Sequence, residues 1–139
     1  MFRRVLVGYD GSPAARKALL AALDLASRYR ADVVALAVVR PPEFAELQGE
    51  VDAAVAQSRG PLAEAFRWAR DQARKAGVPA TLRTEVGHPA EVLVRVAREE
   101  AFDLIVLGRR GLTPVQRWML GSVSERVLRY AHCPVMVVH

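Results

Sequence analysis

The amino-acid sequence predicts an α/β fold, a doubly wound parallel sheet of five strands with helices on both faces. Two observations carry this. Short segments rich in Val, Leu and Ile, as buried strands are, alternate with longer segments whose apolar residues recur at helical spacing, five of the first kind and four of the second. The longer segments also carry helix start and stop signals, so each strand reaches the next by the long crossover that parallel neighbours require.

The expected strands are Arg4 to Tyr9, Asp32 to Val39, Ala80 to Val86, Asp103 to Gly108 and Pro134 to Val138. The first helix turns Ala15, Ala18, Leu19, Ala22, Leu25, Ala26 and Tyr29 inward, with Ser12 as N-cap and Pro13 as first helical residue. In the second, Leu62, Phe66, Ala69, Ala73 and Ala76 share a face, and Gly77 and Pro79 stop it. A third runs from about Pro89 to Ala101 with Val92, Val96 and Ala97 inward, and a fourth from about Val123 to Ala131. Ser122 followed by Glu125 has capping-box spacing. One segment, Arg40 to Gly60, is too long for an ordinary connection; it is either a mobile flap or an early extension of the second helix starting near Pro42.

Composition narrows the class. A chain of 139 residues fits one domain and buries roughly 68 % of its unfolded surface. With 52 % hydrophobic and 25 % charged residues it has ordinary globular usage. Its single cysteine, Cys133, excludes an intrachain disulfide, and neither a leader pattern nor a membrane-length apolar run is present, so a soluble cytoplasmic protein is expected. The net charge of +5 raises the question of nucleic acid, but the arginines are scattered along the chain among Asp and Glu and aromatics are few. Nucleic acid is therefore not the expected partner.

In a doubly wound sheet, ligands bind outside the carboxyl ends of the strands where the strand order reverses. The loop after the first strand holds Asp10, Gly11 and Ser12 ahead of a helix N-terminus, and the fourth strand runs into "LGRRGLTPVQRWMLGSVSERV", residues Leu107 to Val127. Gly108 and Gly111 offer positive φ and let backbone N–H groups approach an anion; Gly121 and Ser122 sit where the fourth helix starts, with the hydroxyls of Ser122 and Ser124 as further donors. Each has a structural alternative: Gly108 a strand-ending turn, Ser122 a cap, Asp10 an Asx turn. Both the Walker lysine pattern and GxGxxG are absent. His88 and His132 read as turn residues, and Cys133 as a buried structural thiol. No catalytic residue is indicated, although a bound metal and ordered water can act without a dedicated base.

The spacing Gly108-x2-Gly111-x9-Gly121-Ser122 resembles the signature of the ATP-binding branch of the universal stress proteins. "VLVGYDGSPAA", "GHPAEVL", "FDLIVLGRRG" and "GSVSERVLRYAHCPVMVV" extend the likeness along the whole chain. The resemblance implies strand order 3-2-1-4-5, the adenine nucleotide alpha hydrolase-like arrangement, which makes strands one and four neighbours; a flavodoxin-like order would separate them. It implies ATP with magnesium or manganese, Asp10 at the ribose and nearby phosphate, the Val38 backbone at adenine, and Leu107 and Gly108 on the base and ribose side. Gly111, Gly121, Ser122, Val123 and Ser124 would give phosphate donors. It also implies a homodimer joined through Pro134 to Val138, acting as a nucleotide-dependent regulatory module in stress response; the alternative is a dimeric adaptor that binds no nucleotide. Arg109 and Arg110 depart from the family's small polar residue after the first glycine. They are either solvated charge or, with Arg110 counted in the expected site, a partner for the triphosphate.

Overall fold

A computed structural model describes residues 1–42, 47–109 and 120–139. Strands β1 (Arg4–Gly8), β2 (Asp32–Val39), β3 (Ala80–Val86), β4 (Leu104–Gly108) and β5 (Val135–Val138) form one parallel sheet in the order β3-β2-β1-β4-β5. Between them run α1 (Pro13–Tyr29), α2 (Gln48–Ala76), α3 (Pro89–Glu99) and α4 (Ser122–Tyr130). The expected order thus holds, with β1 and β4 paired at Val5↔Leu104, Leu6↔Ile105 and Val7↔Val106.

Alternate residues of the central strands feed two cores. Val5, Val7, Val33, Leu104 and Val106 pack beneath α1 and α2, whereas Leu6, Leu36, Ile105 and Leu107 pack beneath α3 and α4. Both faces are covered, which is why these strands read as continuous apolar runs instead of alternating ones. Period-2 geometry splits each run between the two layers.

Local chemistry accounts for the boundaries. The Ser12 hydroxyl accepts from the Ala15 N–H at 3.3 Å and Pro13 opens α1, as expected. Gly77, at φ +68, ends α2 with its N–H turned back to Ala73 and Arg74. Asp103 is not the start of β4: its carboxylate accepts from the N–H groups of Arg3 (2.8 Å) and Arg4 (3.1 Å), closing the end of the β1–β4 pair. Of the Arg40 to Gly60 segment, residues 43–46 lie outside the described residues, and the chain is helical from Gln48, so the helical alternative holds from there with a later start than Pro42. Pro61 sits inside this helix.

Several expected positions shift. Leu23 is buried alongside Leu19 in α1, whereas Leu25 is only partly covered and Tyr29 is 45 % exposed, its ring meeting Phe2 edge-on at 5.8 Å. Ala76 is exposed at the end of α2. Ser122 is not an N-cap: Gly121 holds that position, Ser122 is the first helical residue, and the cap makes no side-chain hydrogen bond. Glu125 instead pairs with Arg129 one turn on, so the capping box expected there does not form. Cα positions in a helix shift by 100° per residue, and a one-residue offset moves Ser122 from cap to first turn.

Candidate functional site

A cavity of about 430 Å³ opens at the carboxyl ends of β1, β2 and β4. The strand order arranges its walls: β2 on one side, β1 in the middle, β4 on the other. On the β2 side lie Leu36, Val38 and Arg40, backed by Pro89 and Leu93 of α3. The middle is the turn from Gly8 to Ala15, and the β4 side is Leu107 and Gly108 with Ser122, Val123 and Ser124 of the first α4 turn.

The turn between β1 and α1 is built by its own side chains. Asp10 Oδ1 accepts from the Ser12 N–H at 2.9 Å, an Asx turn, and Gly11 takes φ +83. Tyr9 is 2 % exposed; its hydroxyl donates to the Ala65 carbonyl of α2 at 2.7 Å and its ring stacks on Phe66 at 6.4 Å. Burial pushes the Tyr9 phenol above its ordinary value of 10.0, against the opposing pull of Arg16. The structural reading of Asp10 as a turn former therefore holds, and the same turn carries Asp10 to the cavity wall.

The two described glycines of the motif that runs from Gly108 to Ser122, Gly108 and Gly121, have different physical uses. Gly108 lies where a Cβ would collide with the Ala14 carbonyl of α1, so its lack of a side chain allows strand and helix to approach; it is not among the described positive-φ glycines, as the sequence reading had allowed. Gly121 has φ −60 and ψ 153, a conformation open to any residue, and a Cβ there would meet none of the described residues within 4 Å. It stands beside Ser122 at the end of α4, whose first-turn N–H groups have no partner within the helix.

Of the sequence-derived residues, Asp10, Val38, Leu107, Gly108, Ser122, Val123 and Ser124 line this one cavity. Gly121 adjoins them without lining it, and Arg110 and Gly111 lie outside the described residues. Arg109 turns elsewhere: its N–H donates to the Val138 carbonyl at 2.8 Å and its guanidinium lies 3.3 Å from His139 Nδ1, along β5. Among the described lining residues Asp10 is the one carboxylate and Arg40 the one cation. Arg40, Leu36, Pro89 and Leu93 also line the cavity and are not among the residues expected from the sequence; the signal that points to them is the rule of strand carboxyl ends, which covers β2 as well.

Other chemistry-bearing groups stand apart. His88 caps α3 without a side-chain hydrogen bond and is not among the lining residues. His132 and Cys133 precede β5, at the opposite end of the sheet, and burial raises the Cys133 thiol, aided by the Asp103 charge, which disfavours a thiolate nucleophile. Among the described residues no group of three or more His, Cys, Asp or Glu could hold a metal. No described helix is long and apolar enough to cross a membrane.

Comparison with known proteins matches this arrangement. The chain is 34 % identical over 142 residues to a universal stress protein of Methanocaldococcus jannaschii, covering 99 % of this chain and 82 % of that one. It is 33 % identical over 154 residues to the universal stress protein YxiE of Bacillus subtilis, covering 99 % of each. A solved universal stress protein in complex with cAMP superposes with a TM-score of 0.78 at 30 % identity, over 99 % of this chain and 97 % of that one. The profile of the Universal stress protein family spans residues 1–139, and with the sheet order and these relatives it shows that the chain belongs to that family.

Proposed function

We propose that the chain binds an adenine nucleotide in the cavity at the ends of β1, β2 and β4, and acts as a nucleotide-dependent regulatory module in stress response, with ATP as its ligand. The observation that carries this reading is Gly121. Neither its backbone conformation nor any described neighbour within 4 Å requires a glycine, whereas a phosphate against the α4 N-terminus would.

The walls suit the parts of such a ligand. Leu36, Val38, Pro89 and Leu93 offer the base an apolar slot, with the Val38 backbone as a hydrogen-bonding edge. Asp10, in the middle, faces the ribose, and Ser122 and Ser124 supply hydroxyls beside the helix end for the phosphates. Arg110 and Gly111 belong to the same proposal on sequence grounds. A cavity of about 430 Å³ falls in the size range of small-molecule sites. The cAMP complex of a 30 % identical relative supports an adenine nucleotide in this fold.

A magnesium or manganese ion would neutralise phosphate charge. The donor set fits an ion held chiefly by phosphate oxygens and water, since Asp10 is the one carboxylate among the described lining residues. The described side chains bind, orient and screen; their inventory supports a binding site in preference to an efficient ATPase. A homodimer through β5 in the cytoplasm completes the reading, because pairing would cover an apolar edge.

The test is a comparison of wild type and Gly121→Val by equilibrium binding of a fluorescent adenine nucleotide, with the fold of each checked by circular dichroism. Binding lost at least tenfold in a folded variant supports the reading. Unchanged binding removes the α4 N-terminus from the site.

A further inference from the structure

The arginines that look scattered in sequence gather in space on α2. At 100° per residue, Arg59, Arg67, Arg70 and Arg74 fall within roughly 80° of the helix circumference, with only Ala63 in the same row between them. All are exposed, and the row is about 22 Å long at 1.5 Å per residue. Arg74 pairs with Asp71, whereas Arg59, Arg67 and Arg70 have no ion-pair partner among the described residues. The opposite layer is arranged otherwise: Arg95 pairs with Glu99, Arg126 with Glu91 and Arg129 with Glu125, each within 3.6 Å.

We infer that this α2 row is a docking surface for the phosphate backbone of duplex nucleic acid, bound without sequence preference. A row of guanidinium groups, three of them without an ion-pair partner among the described residues, matches a regular line of phosphates, with which arginine forms bidentate hydrogen bonds and from which it releases counterions. A membrane surface is the poorer match, since the row carries no large apolar residue to enter the lipid. An acidic peptide is disfavoured for the same reason, because peptide sites are anchored by apolar or aromatic side chains. The row is separate from the cavity, none of its residues lining it, so the inference stands independently of nucleotide binding. It reverses the sequence-level expectation that nucleic acid is no partner.

The test is fluorescence anisotropy with a labelled 20-base-pair DNA duplex at roughly 30 to 200 mM salt, on the full chain. Micromolar binding is expected at low salt, with the logarithm of affinity falling linearly against that of salt. In Arg59→Gln/Arg67→Gln/Arg70→Gln the slope should flatten by about 3, at roughly 0.9 per lost phosphate contact. In the control Arg95→Gln/Arg126→Gln/Arg129→Gln it should keep the wild-type value. Glutamine keeps helix propensity, so both variants are expected to fold. No binding to the duplex at low salt overturns the inference, as does equal loss in both variants. Tighter binding to phosphatidylserine vesicles than to the duplex, lost in the α2 variant, reassigns the surface to membranes and also overturns it.

Discussion

The Tyr9 hydroxyl donates to the Ala65 carbonyl oxygen at 2.7 Å, tying the turn that carries Asp10 to the middle of α2. Gly11 reinforces the joint: at φ +83 it lies so close to Ala65 that a Cβ would come within 2.5 Å of the Ala65 Cβ. The cavity wall after β1 is therefore held by a helix that does not itself line the cavity.

Tyr9→Phe should cost roughly 1 kcal/mol, the worth of one buried hydrogen bond, and lower Tm by roughly 3 °C. The pH dependence has a definite sign. Because the Tyr9 phenol is raised in the folded state, its neutral form is favoured there, so its stabilising contribution is full below pH 10.0 and is lost as pH rises through the higher folded value. Chemical denaturation from pH 9 to 11.5 should show wild type losing stability more steeply than Tyr9→Phe. Parallel curves would contradict the buried-phenol account.

The two glycines should separate fold from ligand. Gly108→Ala forces a Cβ into the Ala14 carbonyl, so a loss of about 3 kcal/mol or failure to fold is expected in thermal melts. Gly121→Ala meets no neighbour among the described residues and should leave Tm within about 2 °C. A stable Gly108→Ala variant would show that β4 and α1 do not approach as described.

Arg40→Gln should lower ATP affinity about tenfold, the effect of losing one charge-assisted hydrogen bond of about 1.5 kcal/mol, with no change in Tm. Its exposure and lack of an ion-pair partner among the described residues make a structural role minor. Equal affinity in the variant would remove Arg40 from the ligand's surroundings.

Val137 lies on β5, at the edge of the sheet, and is half-buried. Sedimentation velocity at micromolar concentration should show a dimer for wild type and a monomer for Val137→Asp, whose charge disfavours edge pairing. A wild-type monomer would contradict dimerisation through this strand.

Much of this architecture was legible because its signals are local. Strands such as Asp32–Val39, apolar after its first residue, and Leu104–Gly108 are near-continuous apolar runs, and α1 announces itself with Ser12-Pro13. The start of α2 was not legible, since Pro41 and Pro42 suggest a loop while the helix begins at Gln48 without a side-chain cap. Positive φ is not what Gly108 supplies; its close approach to Ala14 joins residues far apart in sequence, which periodicity does not reveal. Arg40 escaped because a lone arginine after a strand has no pattern of its own. The arginine row on α2 escaped because its members stand eight, three and four residues apart, a spacing that only the helical turn brings into line.

The most direct test of the central claim is calorimetric titration of purified, nucleotide-stripped protein with ATP and magnesium. Binding with a micromolar Kd and a stoichiometry of one per chain is the expected result. No heat of binding, in a protein shown to be folded and confirmed by equilibrium dialysis to retain no ATP, would contradict it and leave the glycine-bearing loops as scaffold for a dimeric adaptor.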